Sequence, residues 1–294
     1  MSIRSKLYFL NVHQVQVVFP QCPSGPSCIS SMSIRSKLYF LNVHQVQVVF
    51  LQCPSGPSSI SSMSIRSKLY FLNVHQVQVV FPQCPSGPSC ISSMSIRFKL
   101  YFFNVHQVQV VFPQCPSGPS CISSMSIRSK LYFLNVHQVQ VVFPQCPSGP
   151  SCISSMSIRS KLYFLNVHQV QVVFPQCPSG PSCISSMSIR SKLYFLNVHQ
   201  VQVVFLQCPS GPSCISSMSI RSKFYFLNVH QVQVVFPQCP SGPSCISSMS
   251  IRSKLYFINV HQVQVVFLQC PSGPSCISSM SIRSKLYFLN VHQV

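Results

Sequence analysis

The chain has 294 residues, 47% hydrophobic and 7% charged, with 20 Lys and Arg and no Asp or Glu. A globular chain ordinarily carries about 25% charged residues. The missing carboxylates exclude two-carboxylate acid–base chemistry, calcium loops, most magnesium sites and any acidic triad member. The net charge of +20 leaves nucleic acid or an acidic membrane surface open as a partner.

Length alone would suggest about two domains, but an internal repeat overrides that expectation. One 31-residue unit, MSIRSKLYFLNVHQVQVVFPQCPSGPSCISS, occurs nine times and is followed by the first 15 residues of a tenth copy. Full units start at Met1, Met32, Met63, Met94, Met125, Met156, Met187, Met218 and Met249, and a partial unit covers 280–294. Residues 1–294 therefore read as a single tandem array.

From Met1 to Phe9 the unit alternates. Met1, Ile3, Leu7 and Phe9 share one face, and Ser2, Arg4, Lys6 and Tyr8 share the other. This period of two predicts a half-buried strand. A helical seam through Ile3, Leu7 and Leu10 would next meet Gln14 and end there. Asn11 to His13 is the predicted bend. A second strand follows, with Val15, Val17 and Phe19 on one face against Gln14 and Gln16. Pro20 to Ser27 (PQCPSGPS) reads as a turn or loop, and prolines at every third position favour a short polyproline II stretch.

Strand, bend, strand and loop in 31 residues predict an all-β fold. Its form is a parallel β-solenoid-like stack with one coil per repeat; a disordered or aggregating repeat chain is the alternative. In-register stacking would set each Lys6 equivalent about 4.8 Å from the next, a repulsion of roughly 0.9 kcal/mol per neighbour in water before salt screening. Terminal units with no distinct cap would expose strand edges identical to the interior and invite association. His13 to Phe19 (HQVQVVF) carries a steric-zipper pattern flanked by Lys6 and Pro20 as breakers. In three copies the proline is replaced, by Leu51, Leu206 and Leu268.

Met1 is the start of a unit, so no dedicated targeting segment is expected. The apolar run Leu7 to Leu10 is too short for a signal-peptide core, and no stretch reaches the 18 apolar residues of a membrane helix.

The candidate chemistry is thin. His13 and its equivalents could stack into a metal-binding row, although exposed bend histidines are the preferred reading. Cys22 and Cys28 could close a small loop or supply a nucleophile beside a histidine, but no third group orients them. The 17 cysteines are an odd number, and C-x5-C is not a zinc spacing. Pro20, Pro23 and Pro26 superficially match SH3-domain ligands without the flanking arginine, so a plain turn is preferred. LYFLNV echoes the opening of a leucine-rich repeat, yet Val15 stands at the expected asparagine and the period is too long. The chain has no threonine for an ice-binding row. No catalytic, cofactor-binding or metal residue is assigned. The expected partners are the chain itself, through strand edges, and polyanions bound without specificity.

Eight positions depart from the unit: Leu51, Ser59, Phe98, Phe103, Leu206, Phe224, Ile258 and Leu268. Each is one nucleotide change away, and six can be C-to-T. This pattern leads to the expectation of a recent tandem DNA repeat read in frame, with no evolved biochemical function. A self-assembling structural protein is the first alternative. A weak basic binder of nucleic acid or anionic membrane is the second.

Overall fold

A computed structural model describes residues 2–19, 27–50, 58–81, 89–112, 120–143, 151–174, 182–205, 213–236, 244–266 and 275–293. The first coil contains β1 (Ser2–Leu10) and β2 (Gln14–Val18). In later coils both segments join a continuous ladder: β3 (Ser27–Val49), β4 (Ser58–Val80), β5 (Ser89–Val111), β6 (Ser120–Val142), β7 (Ser151–Val173), β8 (Ser182–Val204), β9 (Ser213–Val235), β10 (Ser244–Val266) and β11 (Ser275–Gln293). Each strand pairs in parallel with the next, in the order β1-β3-β4-β5-β6-β7-β8-β9-β10-β11, and β2 also pairs with β3. The fold is the expected parallel β-solenoid, with a spacing of one repeat. Every paired residue lies opposite its own equivalent, as Ile34 opposite Ile65 and Lys37 opposite Lys68.

The predicted alternation sets the core. In the fifth coil Ile127, Leu131, Phe133, Val136, Val139, Val141 and Phe143 are each at most 3% exposed. The bend falls at asparagine, whose φ is 54° at Asn11 and 53° at Asn42 and Asn166. Asparagine enters this left-handed region more readily than other residues with a side chain. The bend also resets the alternation. Phe40 points inward, Leu41 and Asn42 point away, and Val43 returns to the core at 1% exposure. That inward valine was absent from the predicted core.

One boundary differs from the sequence reading. The strand starts at Ser27, whereas Ser27 was placed in the loop and Cys28 to Ser31 were left unassigned. In the interior coils parallel pairing on both sides satisfies this backbone, as at Ser120 between Ser89 and Ser151.

The two halves of a coil form facing walls, and two substitutions show which residues meet between them. Phe98, at the fifth position of its unit, lies 3.7 Å between centroids from Phe81 and 6.1 Å from Phe112, both at the nineteenth position. Phe224, at the seventh position, meets Phe205 edge-on at 5.7 Å. The Phe81–Phe98 pair is closer than the 4.5–7 Å typical of aromatic pairs, so the ring at Phe98 fills a serine-sized site to excess.

Adjacent coils are related by nearly pure translation. Between the fourth and fifth coils, Tyr101–Tyr132 on the outer first wall and Phe102–Phe133 on its inner side are both 4.9 Å apart. His106–His137 at the bend are 4.9 Å apart, and Phe112–Phe143 on the second wall 4.7 Å. A usual strand-to-strand rotation of roughly 20° would carry peripheral rings several ångströms sideways. Spacings this close to the strand separation at four separate places leave little room for it. Side-chain ladders are what hold sheets flat, and the described residues form them in three amide rows.

The bend row runs toward the first coil: Asn42 Nδ2 donates to Asn11 Oδ1 at 3.0 Å, and the pattern continues to Asn290 donating to Asn259. The two glutamine rows of the second wall run the other way, as Gln138 Nε2 to Gln169 Oε1 at 3.0 Å and Gln140 Nε2 to Gln171 Oε1 at 3.1 Å. Among the described residues no helix is long and apolar enough to cross a membrane.

Candidate functional site

The outer surface carries axial rows, one per outward position of the unit. On the first wall these are two serine rows, then Arg4, Lys6, Tyr8 and Leu10 with their equivalents. The second wall presents Gln14 and Gln16 rows with valine beneath them. All 20 cations therefore stand on one wall, in two neighbouring rows, and the chain has no acidic residue to oppose them. The arginine and lysine rows border an axial groove with the buried serine row as its floor. Lys6 Nζ lies 5.3 Å from the centroid of the Tyr8 ring, so the tyrosine row borders the basic strip directly.

Along the sequence these cations are sparse, one pair per 31 residues, and they did not read as a cluster. Stacking brings equivalent cations to one strand spacing, about 4.8 Å. The available signal was the unvarying position of Arg and Lys within the unit, which becomes a charged row once the coils are in register.

Beneath the strip lies a polar flaw. Ser129, Ser160, Ser191, Ser222 and Ser253 are buried, and their hydroxyls have no hydrogen-bond partner. Ser36 escapes by donating to Ser67 Oγ at 3.0 Å.

The histidine row is exposed at the bend, with ring centroids 4.8 Å apart from His75 to His106 and planes within 1°. Parallel rings point their in-plane nitrogen lone pairs alongside one another and not toward a shared point. Among the described residues no three His, Cys, Asp or Glu side chains converge on a metal position. Cys22, the prolines at positions 20, 23 and 26, and Leu51, Leu206 and Leu268 lie outside the described residues. Cys28 is described through its backbone, which pairs with Ser59.

Partial desolvation within the stacked row, then the neighbouring His75 and His137, lower the pKa of His106 below its ordinary value; partial desolvation, His168 and His230 do the same for His199. Burial followed by adjacent tyrosines raises Tyr70, Tyr101, Tyr163 and Tyr194. An unfolded histidine takes its proton near pH 6.5 while these folded ones resist it, so stability falls as pH drops below about 6.5. An unfolded tyrosine ionises near pH 10 before its folded counterpart, so stability also falls above about pH 10. The urea midpoint, measured across this range, should form a plateau between those limits and decline on both sides.

No catalytic constellation emerges among the described side chains. What they build is a set of repeated surfaces: a basic strip and amide ladders. No protein-family model matches the chain, and neither does any curated protein or solved structure.

Proposed function

We propose that this chain is a self-stacking structural β-repeat without catalytic activity, its coils copied from a tandem DNA repeat. The observation that carries the reading is the identity of the stacking surfaces. Every coil offers its neighbour the same residues in the same register, so a coil left without a neighbour offers them to solvent. Leu38 and Leu69 are fully buried between neighbours, whereas Leu7 in β1 is 41% exposed and Leu286 in β11 is 40% exposed. The amide rows are complementary at the ends. Asn11 Nδ2 donates to no described residue, and Asn290 Oδ1 accepts from none. A second copy placed on β11 would extend the first-wall ladder and the asparagine row.

An unpaired edge is a template for the next strand. Light scattering and electron microscopy of the purified chain should show unbranched polymers that lengthen with concentration. Leu286→Lys with Phe288→Lys places charges on one edge and should stop growth while interior coils keep their β signal. A monomer at every concentration would refute the assembly reading. The origin reading is tested in the gene, where many synonymous differences between copies would sink it.

A further inference from the structure

We propose that the first wall is a docking face for lipid bilayers bearing anionic headgroups. The inference uses the stacked coils alone and does not depend on end-to-end assembly.

Charge complementarity is the first support. Twenty cations and no anions lie in two straight rows. Neighbours within a row are about 4.8 Å apart, and the rows are about 6.6 Å apart, two residues along a strand. Both distances are below the Debye length of about 8 Å at physiological ionic strength, so the cations act on a surface collectively. Because the coils repeat by translation, the rows stay on one flat face and can all approach a plane together.

The flanking rows select a bilayer over a nucleic-acid strand. Single-stranded nucleic acid gains much of its hold by stacking bases on open aromatic faces. Here those faces are already occupied, since Tyr132 and Tyr163 stack on each other at 4.8 Å with planes within 1°. Interior tyrosines therefore offer edges and hydroxyls, the amphipathic presentation found at membrane–water interfaces. Next to them runs a row of large apolar side chains that remain partly in water: Leu72 37%, Phe103 39%, Leu227 36% and Ile258 37% exposed. Cations beside an apolar row match the two contributions of interfacial binding, attraction to acidic lipid and burial of apolar surface.

The test is co-sedimentation of the whole chain with vesicles of phosphatidylcholine alone or mixed with phosphatidylserine. Affinity should be at least about a hundredfold higher for the serine-lipid vesicles and should fall steeply with added salt. Replacing four interior lysines (Lys99→Gln, Lys130→Gln, Lys161→Gln, Lys192→Gln) removes like-charge repulsion, so the fold should hold while binding weakens at least about tenfold. Leu134→Ser, Leu165→Ser and Leu196→Ser should weaken binding at unchanged salt dependence. A thymidine homopolymer of matching length is the competing probe. Equal binding to both vesicle types, indifference to the leucine changes, or displacement from the vesicles by the homopolymer at equal charge concentration would each overturn the proposal.

Discussion

Replacing Asn166 by valine should cost about 3 kcal/mol, and replacing it by glycine about half as much. Asn166 holds φ at 53°, donates to Asn135 at 3.1 Å and accepts from Asn197 at 3.0 Å. Both changes remove the two amide bonds, each contributing about 0.5–1.5 kcal/mol. Only valine adds the left-handed penalty of roughly 1–2 kcal/mol for a side chain with Cβ, larger when branched. The difference between the variants isolates the backbone term. Urea midpoints measure it, and hydrogen exchange at Val167 and His168 should show the loss centred on the altered coil. Equal costs for the two variants would mean that the amide row alone matters at the bend.

Alanine at the orphan serines should strengthen the stack. A buried hydroxyl without a partner costs about 1–3 kcal/mol, and Ser160 is such a group. Ser160→Ala should raise stability by about 1 kcal/mol. Changing Ser129, Ser160, Ser191, Ser222 and Ser253 together should raise it by several times that, short of additivity because adjacent coils touch. Ser67 supplies the contrast. It accepts from Ser36 at 3.0 Å, so Ser67→Ala strands that donor and should destabilise by roughly 1 kcal/mol. If Ser160→Ala and Ser67→Ala shifted the urea midpoint alike, the orphan reading would be wrong. Phe98 indicates the room available in this row: it is 2% exposed but crowds Phe81 at 3.7 Å. Aliphatic side chains smaller than a phenyl ring should therefore suit the row best.

Both results concern places where an identical copy meets its neighbour. Stacking multiplies each favourable contact, as with the amide rows, and each unfavourable one. The serine row is a flaw repeated from coil to coil, and the like-charged rows are another. Of the eight substitutions only Phe98 falls in the serine row, and it exchanges an orphan hydroxyl for crowding.

Much of the fold was legible because its signals are local. Ile3, Leu7 and Phe9 alternate with Arg4, Lys6 and Tyr8, and Val15, Val17 and Phe19 with Gln14 and Gln16, which sets the strands and their inward faces. Asn11 to His13 was legible as the bend because it separates the two alternating runs; that the positive φ falls on the asparagine came from the structure. The equivalents of Val12, such as Val43, were not legible as core, because their inward direction follows from that left-handed turn and not from alternation. Ser27 to Ser31 were not legible as strand either. Pairing with the neighbouring coil decides their conformation, and the alternation that marks the other strands is absent from them.

The period, the strand pattern, the lack of carboxylates and the two cations per unit belong to the amino-acid sequence alone. These follow from residue identity and spacing and need no packing. Only the tertiary structure decided that Ser5 faces Phe19 across the core, that tyrosine faces are closed by their own neighbours, and that 20 scattered cations become one basic wall. The reason is register. A parallel stack converts distance along the chain into one strand spacing across the sheet, so position within the unit sets the surface and position along the chain does not.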